Sequence, residues 1–318
     1  MPKKVFISYS HKQGEWVWKN LVPCLRAGGA EVRIDIERFC AGKDVTAQMD
    51  AEQDASDLSV LVLSREYLAS PMCQHEMQRA IACNKFVGVV RADCAVPDEI
   101  KKTLYVDLRD DKAADKWDLL MRECEADLGA TVPNWLHARD EVVRYLQRGD
   151  SVNLLVTHKP KWRELIIHLQ KDHFSDFGMV DLQSPATTSR RGLVAEMLKV
   201  CGSTLPVPPE PEDLVTLGQV FEKRPTPVRI ALIDFDMVAH RKQYEVDLFA
   251  SLRFLIMTNR KLILLIQSRI PFIKLLPTNH PLSSITDLKT VELHGRPSHP
   301  HRLKKLACVG ATINPRCG

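Results

Sequence analysis

The stretch Ser64-Arg65-Glu66-Tyr67-Leu68-Ala69-Ser70-Pro71-Met72-Cys73-Gln74-His75-Glu76 holds the residues best placed to do chemistry. It follows an apolar run, Leu58 to Leu63, that is short, partly β-branched and bounded by polar residues, so it reads as a buried strand. Pro71 suits the first turn of a helix, and Ser70 stands before it as a cap. The helix then runs from Met72 to about Asn84, which puts Glu76 in its second turn, near the end where the strand delivers the chain. In an open parallel sheet, ligands bind beyond the carboxyl ends of the strands. A carboxylate at that edge is either a solvated helix-face residue or a working one. Cys73 lies one turn earlier on the same side. Other chemistries find no support. No G-x-G-x-x-G follows the first strand, no spacing suits a metal, and His11 and His75 stand alone.

The elements that must hold this stretch are readable in order. Lys4 to Ser10 is a strand ending in small hydroxyl residues. Glu15 to Arg26 is a helix with Trp16, Val17, Leu21 and Leu25 at helical spacing, stopped by Gly28-Gly29. Glu31 to Asp35 is a second strand, followed by a polar loop from Ile36 to Asp44 and a helix from Thr46 to Ala55. Phe86 to Arg91 and Leu104 to Leu108 are further strands, and Ala113 to Leu128 closes the unit as a helix. Strands alternating with helices imply an α/β, doubly wound parallel sheet.

The totals bound the rest. A chain of 318 residues exceeds the ~250 at which single cores stop growing, so two domains are expected. With 45% hydrophobic and 26% charged residues, a sizeable core is available. A net charge of +4 is too mild to argue for nucleic acid. Nine cysteines without a C-x-x-C pair, and no leader ahead of Val5, suggest reduced thiols and a cytoplasmic location. No apolar run approaches the ~20 residues of a membrane span.

The residues of the first unit resemble a known family. Val5-Phe6-Ile7-Ser8-Tyr9-Ser10 is similar to the first conserved box of Toll/interleukin-1 receptor (TIR) domains. Asp35 and the loop containing Gly42 resemble the second box and its BB loop. Ser64, Tyr67, Ser70, Cys73 and Glu76 match the pattern S-x-x-Y-x-x-S-x-W-C-x-x-E of TIR domains that cleave NAD; Met72 stands where that pattern has Trp. The resemblance implies a flavodoxin-like sheet over residues 1–129 and Glu76 as the catalytic residue. It also implies a pocket lined by Ser8, Tyr9, Ser10, Asp35, Phe39, Gly42, Tyr67, Met72 and Cys73. NAD+ would be the substrate, with no cofactor and no metal. A carboxylate beside the ribose would stabilise the positive charge that grows as nicotinamide leaves. The family also contains non-catalytic scaffolds that bind one another through the same loop.

Residues 130–150 join this unit to a second one, over 151–293. There, strands at Ser151–Val156, Gly178–Ser184, Arg229–Asp234 and Lys261–Ser268 alternate with helices, again α/β. The order resembles the core of STAND-type P-loop ATPases, with Ile230 to Asp236 similar to a Walker B strand. The phosphate loop fails, however. Thr157-His158-Lys159-Pro160-Lys161-Trp162-Arg163-Glu164 has no glycine to let backbone N–H groups wrap a phosphate, and Trp162-Arg163 stand where Lys-Ser/Thr is needed. No ATP hydrolysis is expected, and Asp234 and Asp236 read as strand-end caps. The segment from Lys289 on, with six Lys/Arg against one Glu, reads as a basic flexible tail, delimited as 294–318. Nucleic acid would be met only through that tail or a partner. The combined resemblance implies a bacterial anti-phage effector that depletes NAD once TIR domains self-associate, under a trigger the sequence does not name. A nucleotide-sensing second domain is the remaining reading.

Overall fold

The computed structural model describes residues 2–293, apart from Phe39, Lys43, 157–158, Pro211 and 286–287. The first unit is a parallel sheet of β1 (Lys4–Tyr9), β2 (Glu31–Arg33), β3 (Leu58–Leu63), β4 (Phe86–Val90) and β5 (Val106–Asp107). Its order is β2-β1-β3-β4-β5, the flavodoxin-like arrangement, so the chain reverses its winding between β1 and β3. Ser8 pairs with Leu61 across that junction. Side chains alternate along β1. Val5, Ile7 and Tyr9 enter the main core, while Ser8 points to the other face, over Leu61, Leu63, Tyr67 and Cys73.

The second unit is also parallel: β6 (Ser151–Val156), β7 (Phe177–Asp181), β8 (Val228–Ile233), β9 (Leu262–Ser268) and β10 (Leu288–Leu293), in the order β10-β6-β9-β8-β7. This order is compatible with a P-loop-like fold. β10 takes in the first residues of the basic segment that begins at Lys289, ahead of the tail delimited as 294–318. Leu288 to Leu293 pairs with the whole of β6, burying Val291 and Leu293 and leaving Thr290 and Glu292 exposed. A half-buried edge strand alternates polar and apolar residues, and so resembles a polar tail in composition. The basic segment 294–318 lies outside the described residues.

The two sheets share one core. Helix Val132–Arg148 buries Trp135, Leu136, Val142 and Leu146, and ends at Gly149, whose φ of 88° is the left-handed stop. A continuous apolar cluster runs from Val5 and Leu21 through Trp117 and Trp135 to Val152, Trp162 and Ile166. The helix after β1 explains part of this docking. Its segment Val17–Leu21 is π-helical, the Val22 N–H reaching the Val17 carbonyl, and passes into helix Val22–Ala27. Pro23 has no N–H, so it cannot bond the Lys19 carbonyl four residues back. The guanidinium of Arg139, buried on the joining helix, donates to that carbonyl and to Asn20 Oδ1 at 3.1 Å. Removing the Arg139 head group orphans it. Arg139→Met should cost roughly 1–3 kcal/mol, a drop of several degrees in Tm by calorimetry.

Candidate active site

β3 ends at Leu63, and the hydroxyl of the next residue, Ser64, accepts from the Tyr67 N–H at 3.1 Å and caps the short helix Arg65–Ala69. Ser70 caps the next helix, Pro71–Ala82, accepting from the Cys73 N–H at 3.4 Å, with Pro71 as its first residue. The two motif serines therefore set backbone direction. They aim Tyr67 and Glu76 at the end of β1. Glu76 is only 9% exposed, and its Oε2 accepts the Ser8 hydroxyl proton. The Tyr67 hydroxyl lies 2.7 Å from the same Ser8 oxygen. With Ser8 donating to the carboxylate, Tyr67 must donate to Ser8, giving a buried relay from Tyr67 through Ser8 to Glu76.

Burial pushes the Glu76 carboxyl up to about 7. The Ser8 hydrogen bond opposes that shift, Asp35 and Asp50 reinforce it, and His75 opposes it. Burial also raises the Tyr67 hydroxyl well above its ordinary range, and raises the Cys73 thiol. Cys73 points its Sγ at the Tyr9 carbonyl, 3.7 Å away. Both stay protonated at neutral pH, so neither is poised as a nucleophile.

The remaining expected pocket residues divide. Tyr9 leaves β1 on the opposite face from Ser8. Its hydroxyl donates to Asp35 Oδ1 at 3.1 Å and accepts from the Trp18 indole at 3.2 Å, and burial lifts its pKa to about 12. His11 joins the other Asp35 oxygen at 3.1 Å. Ser10 caps the turn His11–Gln13 and is spent on the backbone. Met72 is 40% exposed, and Gly42 turns the exposed loop with a φ of 81°. Phe39 lies outside the described residues. The structure thus joins Ser8, Tyr67 and Glu76 directly, with Cys73 alongside, and sets Tyr9 and Asp35 in a neighbouring network.

Two residues that the sequence reading passed over support the helix from below. Gln53 donates to the Glu76 backbone carbonyl at 2.9 Å. Asp50 forms ion pairs with Arg79 at 3.1 Å and with His75 at 3.0 Å. Both project from helix Val45–Asp54, which is polar enough to leave no periodic signal of a buried face.

Residues 5–121 match the family model described as TIR domain. The first unit is a TIR domain. A solved TIR domain, that of the Toll-related receptor TRR-2 from Hydra magnipapillata, is 22% identical; the match covers 38% of this chain and 96% of that one, with a TM-score of 0.36. No curated protein matches the chain. TIR domains associate with one another, and the family includes both NAD-cleaving enzymes and scaffolds. Among the described residues, no helix is long and apolar enough to cross a membrane.

In the second unit, the acids at the end of β8 are capped internally. Arg269 Nη2 lies 3.0 Å from Asp234 Oδ1, and Asp234 is fully buried. Asp236 accepts the backbone N–H groups of Arg269 and Ile270 at 3.0 Å each. An internal guanidinium thus stands beside the carboxylate at the end of the Walker B-like strand. Near the failed phosphate loop, Trp162 is buried. Arg163 lies 4.9 Å over its ring and pairs with Asp181 at 3.3 Å.

Proposed function

We propose that the TIR domain hydrolyses NAD+ at the nicotinamide–ribose bond, with Glu76 as the catalytic residue. The observation that supports this best is the buried Glu76 carboxyl at the mouth of β1, fixed by Ser8 and Tyr67. In the reaction, the bond from C1′ to the pyridinium nitrogen breaks, and its electron pair leaves with neutral nicotinamide. The ribosyl C1′ becomes oxocarbenium-like, and the ionised Glu76 stabilises that charge. Water adds to C1′ and loses a proton, which a carboxylate titrating near 7 is suited to accept before passing it to solvent. Ser8 orients the carboxylate, and Tyr67 holds Ser8.

Burial of Glu76 in the single chain fits activation by self-association, in which a second TIR copy opens or completes the pocket. NAD+ consumption should then rise more steeply than linearly with protein concentration, and the specific rate should level off once assembly is complete. A specific rate independent of concentration would leave activation by assembly without support. An assembled protein that consumes no NAD+ would sink the enzymatic reading and leave the scaffold. As an anti-phage effector, the wild type should lower plaque counts on cells expressing it, and Glu76→Gln should not.

The Ser8 hydrogen bond gives a further test. Ser8→Ala removes the contact that favours the ionised carboxylate, so the Glu76 pKa rises further. The acid limb of the kcat/KM profile should move to higher pH, with the plateau rate at pH 9 less affected than the rate at pH 7. An unmoved limb would detach Ser8 from the titration.

A further inference from the structure

The seam between the two units holds an open pocket of about 360 Å³, within the size range of small-ligand sites. Its apolar wall comes from Trp18, Val22 and Pro23 of the first unit and Ile167 of helix Lys159–Asp172. Its charged groups are unevenly spent. Arg26 is paired with Glu37, and His168 with Asp172 at 2.6 Å. Glu164 has no hydrogen bond or ion pair among the described residues. Three carboxylates, Glu37, Glu164 and Asp172, face two cations, Arg26 and Lys171. Burial holds His168 neutral, with its pKa near 4. The lining therefore holds one more carboxylate than cation, and Glu164, drawn on by Arg26 and Lys171 only through space, is a half-buried carboxyl in the same pocket as the Trp18 ring.

We propose that this seam pocket binds a small aromatic or quaternary organic cation, held by the Glu164 carboxylate and the Trp18 ring. A cation over an indole gains from the ring quadrupole, and more so when water is excluded. Burial raises the Glu164 pKa against the pull of Arg26 and Lys171, and a bound cation would draw it further toward the ionised form. The site is separate from Glu76 yet shares walls with its surroundings. The Trp18 indole donates to Tyr9, Tyr9 donates to Asp35, and Glu37 lies on the same helix as Asp35.

The test is titration calorimetry of the full chain with phenyltrimethylammonium, against its uncharged relative N,N-dimethylaniline. The cation should bind saturably to one site per chain. The neutral amine and Glu164→Gln should each weaken binding about tenfold or more, and Trp18→Leu, which keeps bulk without the ring face, should weaken it severalfold. Glu76→Gln should bind the cation like the wild type whether or not the protein hydrolyses NAD+. No saturable heat with the wild type, equal binding of the neutral amine, or unchanged affinity in Glu164→Gln would overturn the proposal. Loss of binding in Glu76→Gln alone would place the cation at the other carboxylate and overturn it equally.

Discussion

Glu76→Gln should nearly abolish NAD+ hydrolysis and at the same time make the protein more stable at alkaline pH. The first effect follows from charge. Glutamine keeps the shape and can still accept the Ser8 proton, but it carries no negative charge toward a ribosyl cation. Removing one preorganised electrostatic group typically costs about a hundredfold to a thousandfold in rate. The second effect follows from burial. The carboxyl titrates at 4.5 when exposed and at about 7 in the folded chain. Below pH 4.5 the group is neutral in both states and costs nothing. Between about pH 4.5 and 7 the unfolded chain ionises first, so wild-type stability declines, and above 7 the full penalty is in force. A shift of that size corresponds to about 3 kcal/mol, or several degrees in Tm. Glutamine does not titrate. Calorimetry at pH 8 should therefore find the variant melting higher, with the advantage shrinking steadily toward pH 5. A variant that is inactive and also less stable at pH 8 would mean that Glu76 is a structural carboxylate whose loss damages the fold.

Much of the scaffold behind this prediction is legible in the sequence. Alternating apolar strands and amphipathic helices fix both sheets as parallel α/β, because a strand buried on both faces must be a continuous apolar run. Ser64, Ser70 and Pro71 announce where the chain turns and restarts, since caps act locally on backbone N–H groups. The spacing places Glu76 in the second turn of the helix that Ser70 caps, and the structure finds it there. Tertiary relations are less legible. Ser8, Tyr9 and Ser10 read as one cluster in sequence, but the period of a strand sends Ser8 to Glu76 and Tyr9 to Asp35, while Ser10 is consumed as a cap. The partner of Arg139 is a backbone carbonyl 120 residues earlier, orphaned by a proline, which no local pattern encodes. The common core of the two sheets is likewise invisible, because residues 130–150 carry ordinary helix periodicity whether the helix spans a gap or packs on both sides.

The largest loss of stability should come from a pair that the sequence also conceals. Arg190 and Asp213 lie on either side of a proline-rich segment, on helices Arg190–Val200 and Glu212–Glu222. Asp213 is fully buried and Arg190 only 4% exposed. They meet in a two-pronged contact, Nε to Oδ2 at 3.0 Å and Nη2 to Oδ1 at 2.6 Å. The pair does not by itself make the second unit more stable than a well-packed apolar contact would, since both charges lost their hydration on burial. Breaking it is another matter. Arg190→Met leaves the Asp213 carboxylate buried with, among the described residues, only the Leu214 N–H, 2.8 Å away, in place of a full counter-charge. The expected cost is roughly 3–5 kcal/mol, on the order of 10 °C in Tm. Adding Asp213→Leu should recover most of it, because the stranded charge is then gone. Recovery in the double variant separates an uncompensated charge from lost packing, since a packing defect would deepen with the second substitution. The shared core sharpens the readout further: damage at Arg190 should lower the melting of the whole chain as one transition, whereas a second unit that only touches the TIR domain would melt first and leave the other transition unmoved.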